Sequence, residues 1–361
     1  MATARLDELE KILTEFETIP AISEHEEEIG KILKGKLEGK ADKVYLDDFK
    51  PAPNVLAEKK GASGKYKLVV DCHIDQVGLE TTGINPDGKV RAKPVGGFPD
   101  DYVLGHDYEI QTSKGPVRAT ASKSGSYVLA IPGVDSVRKA ESLGIKTGQQ
   151  AVYAVRPERL EKYKMKGPVI DNRFGVTTSY ESIMRLAGKE LKSDVLYAHC
   201  AQEEIGLYGA GHVARTRAAG SDAAIVLEVT KADKEAVQGN GPVLRIIKDD
   251  SFGKVDPKVS YLIEEAAKRE GVSLQKQVTL GSNDSYRYHK AGIPVGLLAV
   301  PITNMHSDYE TVDLRDVEGA IKVLNRALTD SEEILDSYAR TGGAAKKFDS
   351  PVLRWKTGKG I

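Results

Sequence analysis

Four short apolar runs, KLVVDCH (67–73), SDVLYAHC (193–200), DAAIVLEVT (222–230) and IPVGLLAVP (293–301), each stop at polar residues. Between the last three lie stretches of helical period, GAGHVARTRAAG and DPKVSYLIEEAAKREG, and GVTTSYESIMRLAGKEL precedes the second run. A β-branched run of this length reads as a buried strand, and strands that alternate with helices predict a largely parallel sheet covered by helices. The alternation therefore confines the chain to the α/β class.

The pattern is broken once. From about Gly78 to Gly167 the texture changes to short strands with frequent glycine, as in GINPDGKV, KPVGGFPDD, QTSKGPVRATASKSGSY and GQQAVYAV, and only VDSVRKAESLG within it has a helical look. A length of 361 residues accommodates two unequal units. The expected organisation is an α/β domain formed by residues 1–77 and 167–361, interrupted by a smaller, mostly β domain at 78–166.

Leu6, Leu9, Ile12, Leu13 and Phe16 recur at helical spacing up to Pro20. A second helix is expected from Ser23, with Glu26 completing a capping box. Asp313 is placed to cap a long final helix. The segment from Thr341, TGGAAKKFDSPVLRWKTGKGI, mixes glycine and lysine with a few apolar residues and reads as a frayed or docked tail.

Charge excludes some partners. With Lys+Arg 52 against Asp+Glu 53 the net charge is −1, so there is no global basic field and nucleic acid is not an expected partner. No run approaches membrane-spanning length, and the charged, helical N-terminus lacks the apolar centre of a secretory signal. Two cysteines, Cys72 and Cys200, are too few for a disulfide framework, which points to a reducing cytoplasmic setting.

The polar residues that look like chemistry are few. They are His73 and Asp75 in HID, Asp171 in IDNRFG, Glu203 and Glu204 in QEEIG, Glu228 in VLEVT, and His306 in TNMHSDYE. Almost all fall at a strand end or in the loop after it, where open α/β sheets place their sites. Imidazoles with carboxylates make a mixed N/O donor set suited to Zn2+ or Co2+, with Mn2+ also accommodated. One bridging carboxylate could hold two such ions about 3.5 to 4 Å apart, and a further carboxylate could take the proton of an activated water. Neighbouring side chains at a strand end diverge, so Glu203 can face the water while Glu204 turns to a metal. Glu228 is hard to dismiss as surface polarity, because a lone acid inside a buried strand must be paired, protonated or metal-bound.

HIDQVG, VIDNRFG, AQEEIGLYGAG, GSND and the histidine before ETVDLRDVE resemble, in order and spacing, the glutamyl and tetrahedral aminopeptidase family of co-catalytic metallopeptidases. The likeness covers nearly the whole chain. It implies an α/β/α sandwich with a mixed central sheet, and an inserted β domain that mediates dimerisation. It also implies a two-metal site with His73 and Glu228 on one ion, His306 and Glu204 on the other, Asp171 bridging, Glu203 as general base, and Asp75 orienting His73. The expected substrate is a peptide with a free N-terminus, and the expected assembly is a homo-oligomer, with dimers building a hollow tetrahedral dodecamer.

Two positions depart from the family pattern. Glu228 stands where aspartate is usual, one methylene longer, and Gln76 replaces a commonly acidic residue. Asp284, in GSNDSYRYHKAG, matches a segment near the substrate groove and could support the site or receive the peptide amine. GGFPDD and GLYGAG lack the lysine and spacing of nucleotide loops.

Two further readings are carried alongside. A glycoside hydrolase would need two carboxylates astride a sugar bond, leaving both histidines idle, and would resist chelators. A non-catalytic assembly protein would keep the fold and bind metal without hydrolysing any peptide.

Overall fold

The computed structural model describes residues 2–341; most of the expected tail lies outside them. In chain order the strands are β1 (Lys43–Leu46), β2 (Val55–Lys59), β3 (Lys67–His73), β4 (Gly78–Ile84), β5 (Val90–Val95), β6 (Asp107–Thr112), β7 (Gly115–Ser124), β8 (Ser126–Ala130), β9 (Gln150–Tyr153), β10 (Glu158–Arg159), β11 (Lys164–Gly167), β12 (Asp194–Cys200), β13 (Ala223–Lys231), β14 (Val243–Ile246), β15 (Gln275–Val278), β16 (Val295–Ile302) and β17 (Glu310–Asp313). The helices are α1 (Ala2–Glu17), α2 (Glu27–Leu37), α3 (Val137–Ser142), α4 (Ile170–Leu186), α5 (Tyr208–Arg215), α6 (Pro257–Glu270), α7 (Ser285–Lys290), α8 (Leu314–Thr329) and α9 (Ser331–Arg340).

The main sheet has eight strands in the order β1-β2-β12-β3-β13-β16-β14-β15. Its centre, β12-β3-β13-β16, is parallel throughout, while β2 and β14 join antiparallel, so the sheet is mixed. The four runs read from the sequence are those central strands, and both their faces are covered. Gly175 of α4 lies against Cys72, a Cβ there falling 2.7 Å from the Cys72 Cβ, whereas the Tyr288 hydroxyl of α7 donates to Asp71 at 2.7 Å. Adjacent residues of a strand point to opposite faces, so α4 and α7 lie on opposite sides of the sheet.

Residues 78–153 form a closed barrel of six strands in the order β4-β5-β8-β7-β6-β9, around a core that includes Leu79, Tyr108, Ile110, Leu129 and Tyr153. Closure removes every free edge. Past the barrel, β10 and β11 form a hairpin that pairs instead with β17.

Three local expectations change. The second helix starts at Glu27, and Ser23 and Glu26 do not form a capping box. The Ser23 hydroxyl donates to Asp75 Oδ2 at 2.6 Å, and Glu26 Oε1 accepts from the Gln202 backbone N–H at 2.9 Å, so tertiary partners have claimed both cap groups. His25, expected on that helix, lies in the loop before it. The helix expected to run to Gly220 ends at Arg215. By contrast Asp313 caps α8 as expected, accepting from the Arg315 N–H at 2.9 Å.

Candidate metal centre

Strand register brings the candidate residues together. Cys200 of β12 sits level with His73 of β3, and β13 pairs with β3 up to Val226 opposite Asp71, so Glu228 arrives level with His73 two residues later. The loops leaving β12 and β16 then carry Glu203, Glu204 and His306 to the same sheet edge.

Asp171 is the centre of the arrangement. It lies at a break near the start of α4, where its ψ of 104° and that of Asn172 depart from helical values. Its Oδ1 is 3.2 Å from His73 Nε2, and its Oδ2 is 3.3 Å from His306 Nε2. Glu228 Oε1 is 4.0 Å from His73 Nε2, and Glu204 Oε1 is 3.4 Å from His306 Nε2. Two sets thus form around one carboxylate, His73 with Asp171 and Glu228, and His306 with Asp171 and Glu204; in each set the donor atoms lie within 4.8 Å of one another.

Asp75 sits behind His73, its Oδ1 3.3 Å from His73 Nδ1. The same carboxylate accepts from the backbone N–H groups of Glu203 (3.0 Å) and Glu204 (3.1 Å), as well as from Ser23. One fully buried side chain therefore fixes the first imidazole and the loop bearing both glutamates. This answers why two glutamates can follow a buried strand: their backbone is tied down and their carboxylates are turned to the cavity.

The charge of this cluster is lopsided. Burial and the neighbouring carboxylates push Glu203 well above the ordinary glutamate value, and burial, with Asp171 beside it, raises Glu228 to about 7. Burial opposes a charged His306, but Glu204 and Asp171 outweigh it and lift its pKa to about 12. Asp171, between two imidazoles, is held below the usual range despite its burial. No lysine or arginine nitrogen pairs within 4.0 Å with Asp75, Asp171, Glu203, Glu204 or Glu228 among the described residues. A buried carboxylate set with outward-tied imidazoles and no basic side chain within ion-pair distance is a donor set that fits divalent cations.

The cavity in front of these groups has a volume of about 510 Å³. A larger cleft of about 790 Å³, between Arg5, Arg315 and Gly319, contains none of them. Asp284 does not line the cavity; it is 1% exposed and stands beside Asp71 and Cys200 beneath the site, which leaves it unable to meet a peptide amine directly. Cys200 gives its thiol to Asp71 Oδ2 at 2.9 Å and takes no place in the two donor sets. Gln76 turns away from the site, its Oε1 accepting from the buried Arg173 at 3.1 Å.

Two residues at the site escaped the sequence reading. Glu310 is buried, and its carboxylate accepts from the backbone N–H of Asp171 at 2.9 Å and of His306 at 2.6 Å, holding the backbones of both residues in one grip. Its signal was only an acid four residues after His306. Arg245 lines the cavity with Nε tied to Thr279 at 2.8 Å and Nη1 to the Val229 carbonyl at 3.2 Å, both neutral partners. Nothing in LRII marked it.

The sequence profile described as M42 glutamyl aminopeptidase matches residues 53–323. Lysyl aminopeptidase of Pyrococcus furiosus is 28% identical over 323 residues, covering 82% of this chain and 89% of that protein. Among solved structures, the TET1 peptidase of Pyrococcus horikoshii superposes with a TM-score of 0.80 at 26% identity, covering 89% of this chain and 99% of its own. An aminopeptidase of Desulfurococcus kamchatkensis reaches a TM-score of 0.85 at 23% identity, covering 92% and 98%, a likeness of fold.

Proposed function

The chain belongs to the M42 glutamyl aminopeptidase family and is on that footing an aminopeptidase; from that premise we propose that it removes N-terminal residues from peptides with a pair of divalent cations and Glu203 as general base. The observation that carries the reading is Asp171, with one oxygen toward each imidazole. His73 and Glu228 would hold one ion, His306 and Glu204 the other, with Asp171 shared between them. Zinc or cobalt suits the donors best, and manganese is accommodated. When bound there, such ions would supply polarisation of the scissile carbonyl and acidification of a water.

The remaining steps belong to the chain. Glu203, its pKa raised by burial, takes the water's proton and delivers it to the leaving amine nitrogen. Asp75 keeps His73 Nε2 aimed at the centre by occupying its Nδ1 side. The peptide enters with a free amine, and the cavity beyond the imidazoles receives its first side chain.

The inserted segment 78–166 is proposed to mediate dimerisation of a cytoplasmic homo-oligomer, in which dimers build a tetrahedral dodecamer. The solved TET1 peptidase of Pyrococcus horikoshii, described as assembling into a tetrahedron or a large octahedral shell, supports this.

Chelation followed by metal add-back, with aminoacyl p-nitroanilides as substrates, tests the reading directly. Glu203→Gln should keep both ions and lose about 10²- to 10⁴-fold in kcat, the usual contribution of a positioned base. A fully active Glu203→Gln enzyme would refute the assignment.

A further inference from the structure

The two imidazoles are held from different bodies. His73 is backed by Asp75, two residues away on the same sheet edge. His306 is backed by the barrel: its Nδ1 lies 2.5 Å from the carbonyl oxygen of Gly97, in the segment that follows β5. An acceptor for Nδ1–H fixes the tautomer and aim of a histidine that presents Nε2 to a cation, and here a backbone carbonyl of the inserted domain is that acceptor.

The barrel grips the backbone as well. His306 has a φ of +66°, a left-handed conformation costly for a residue with a Cβ, so its neighbours must hold it there. Glu310 takes its N–H, and the Tyr153 hydroxyl at the end of β9 shares its single hydrogen between the Tyr102 carbonyl at 2.7 Å and the His306 carbonyl at 3.2 Å. Two residues on, Asp308 Oδ2 lies 2.9 Å from His106 Nδ1, just before β6. The His106 ring stands edge-on to that of Tyr153, centroids 6.4 Å apart.

We propose that Gly97, Tyr153 and the His106–Asp308 pair are positioning groups for His306, so that the barrel tunes the affinity of one cation site and not of the other, while Asp75 holds His73 and the Glu204 backbone. The proposal rests on the two-cation reading above. Shifting the barrel contacts should loosen the ion at His306 and Glu204 selectively, because among the described residues no hydrogen bond or ion pair joins Gly97, His106, Tyr153 or Asp308 to His73 or Glu228.

Full-length wild type, Tyr153→Phe, His106→Ala and His106→Asn are titrated calorimetrically with Co2+ after metal removal, with circular dichroism and thermal melts alongside. Tyr153→Phe and His106→Ala should weaken one of two ions by about 10- to 100-fold, the usual effect of losing an outer partner, with the other ion unchanged and kcat restored at excess metal. His106→Asn, whose amide N–H can replace Nδ1–H toward Asp308, should recover most of that affinity. In Tyr153→Phe/His306→Ala the first change should add nothing to the second, as expected for residues acting through one group.

Unchanged affinities for both ions overturn the proposal, and so does a parallel weakening of both that tracks a fall in melting temperature. A wild-type chain that binds fewer than two ions removes the two-cation reading itself, and this proposal with it.

Discussion

Glu228 shows what can be read from a single letter. An acid inside AAIVLEVT conflicts with burial, and the structure places it 5% exposed, level with His73. Glu17 shows the opposite case, since its surroundings in LTEFETIP give no hint of burial. Its carboxyl is enclosed where Gly167 leaves room, and burial pushes its pKa from 4.5 up to about 8 against the pull of the Val169 backbone and the Arg173 charge. The folded state then keeps a proton that the unfolded state releases above about 4.5, so stability falls as pH rises from there to about 8. The slope is at most ~1.4 kcal/mol per pH unit. Glu17→Gln should match wild type at pH 5 and melt higher than it at pH 8; equal melting temperatures at both would sink the account.

Arg245 carries a second prediction at this scale. Its guanidinium is anchored by neutral hydrogen-bond partners at the cavity wall, where its charge favours the ionised Glu228, and no carboxylate within 4.0 Å among the described residues pairs with it, which leaves it able to meet a substrate carboxylate. Arg245→Gln should raise KM for glutamyl p-nitroanilide by about tenfold or more while changing leucyl p-nitroanilide little, as a lost charge-assisted hydrogen bond of roughly 1.5–3 kcal/mol requires. Equal changes for both substrates would remove Arg245 from recognition.

Among the elements, the loop after β12 depends on a close backbone approach. A Cβ on Gly209 would fall 2.3 Å from the Ala201 carbonyl oxygen and 2.4 Å from Asn54 Oδ1, while that Asn54 oxygen accepts from the Ala201 N–H. Gly209 of GLYGAG thus serves close packing against the end of the strand that delivers Glu203. Gly209→Ala should cost about 1–3 kcal/mol in urea denaturation and lower kcat by displacing the loop. A fully stable, fully active variant would contradict this.

The central strands were legible because β-branched runs between helices leave few alternatives. The outer strands were not: Gln275–Val278 is a four-residue segment whose polarity resembles a loop, and Lys43–Leu46, though mostly apolar, is only four residues long. The capping box at Ser23 misled because local spacing cannot reveal that Asp75, 52 positions later, takes the hydroxyl.

For the molecule as a whole, the glycine-rich texture announced an inserted β unit, but not its closure. That depends on Leu79 pairing with Ala151, a contact between distant parts of the chain that no local pattern encodes. The carboxylate cluster predicts that ion occupancy contributes to global stability. A chelated enzyme should melt lower, with melting temperature rising with free metal; occupancy at 100 times Kd contributes about 2.7 kcal/mol per ion. A melting temperature indifferent to chelator would contradict the donor-set argument.

Asp75 and Gln76 are chain neighbours with opposite freedom to vary. The first is a four-way knot: any replacement there must satisfy a ring, a hydroxyl and two peptide groups at once, so a saturation library should return almost nothing but the parent letter. The second answers to a guanidinium and a peptide nitrogen on the far side, both met by one neutral amide oxygen, so the same library should admit several residues there.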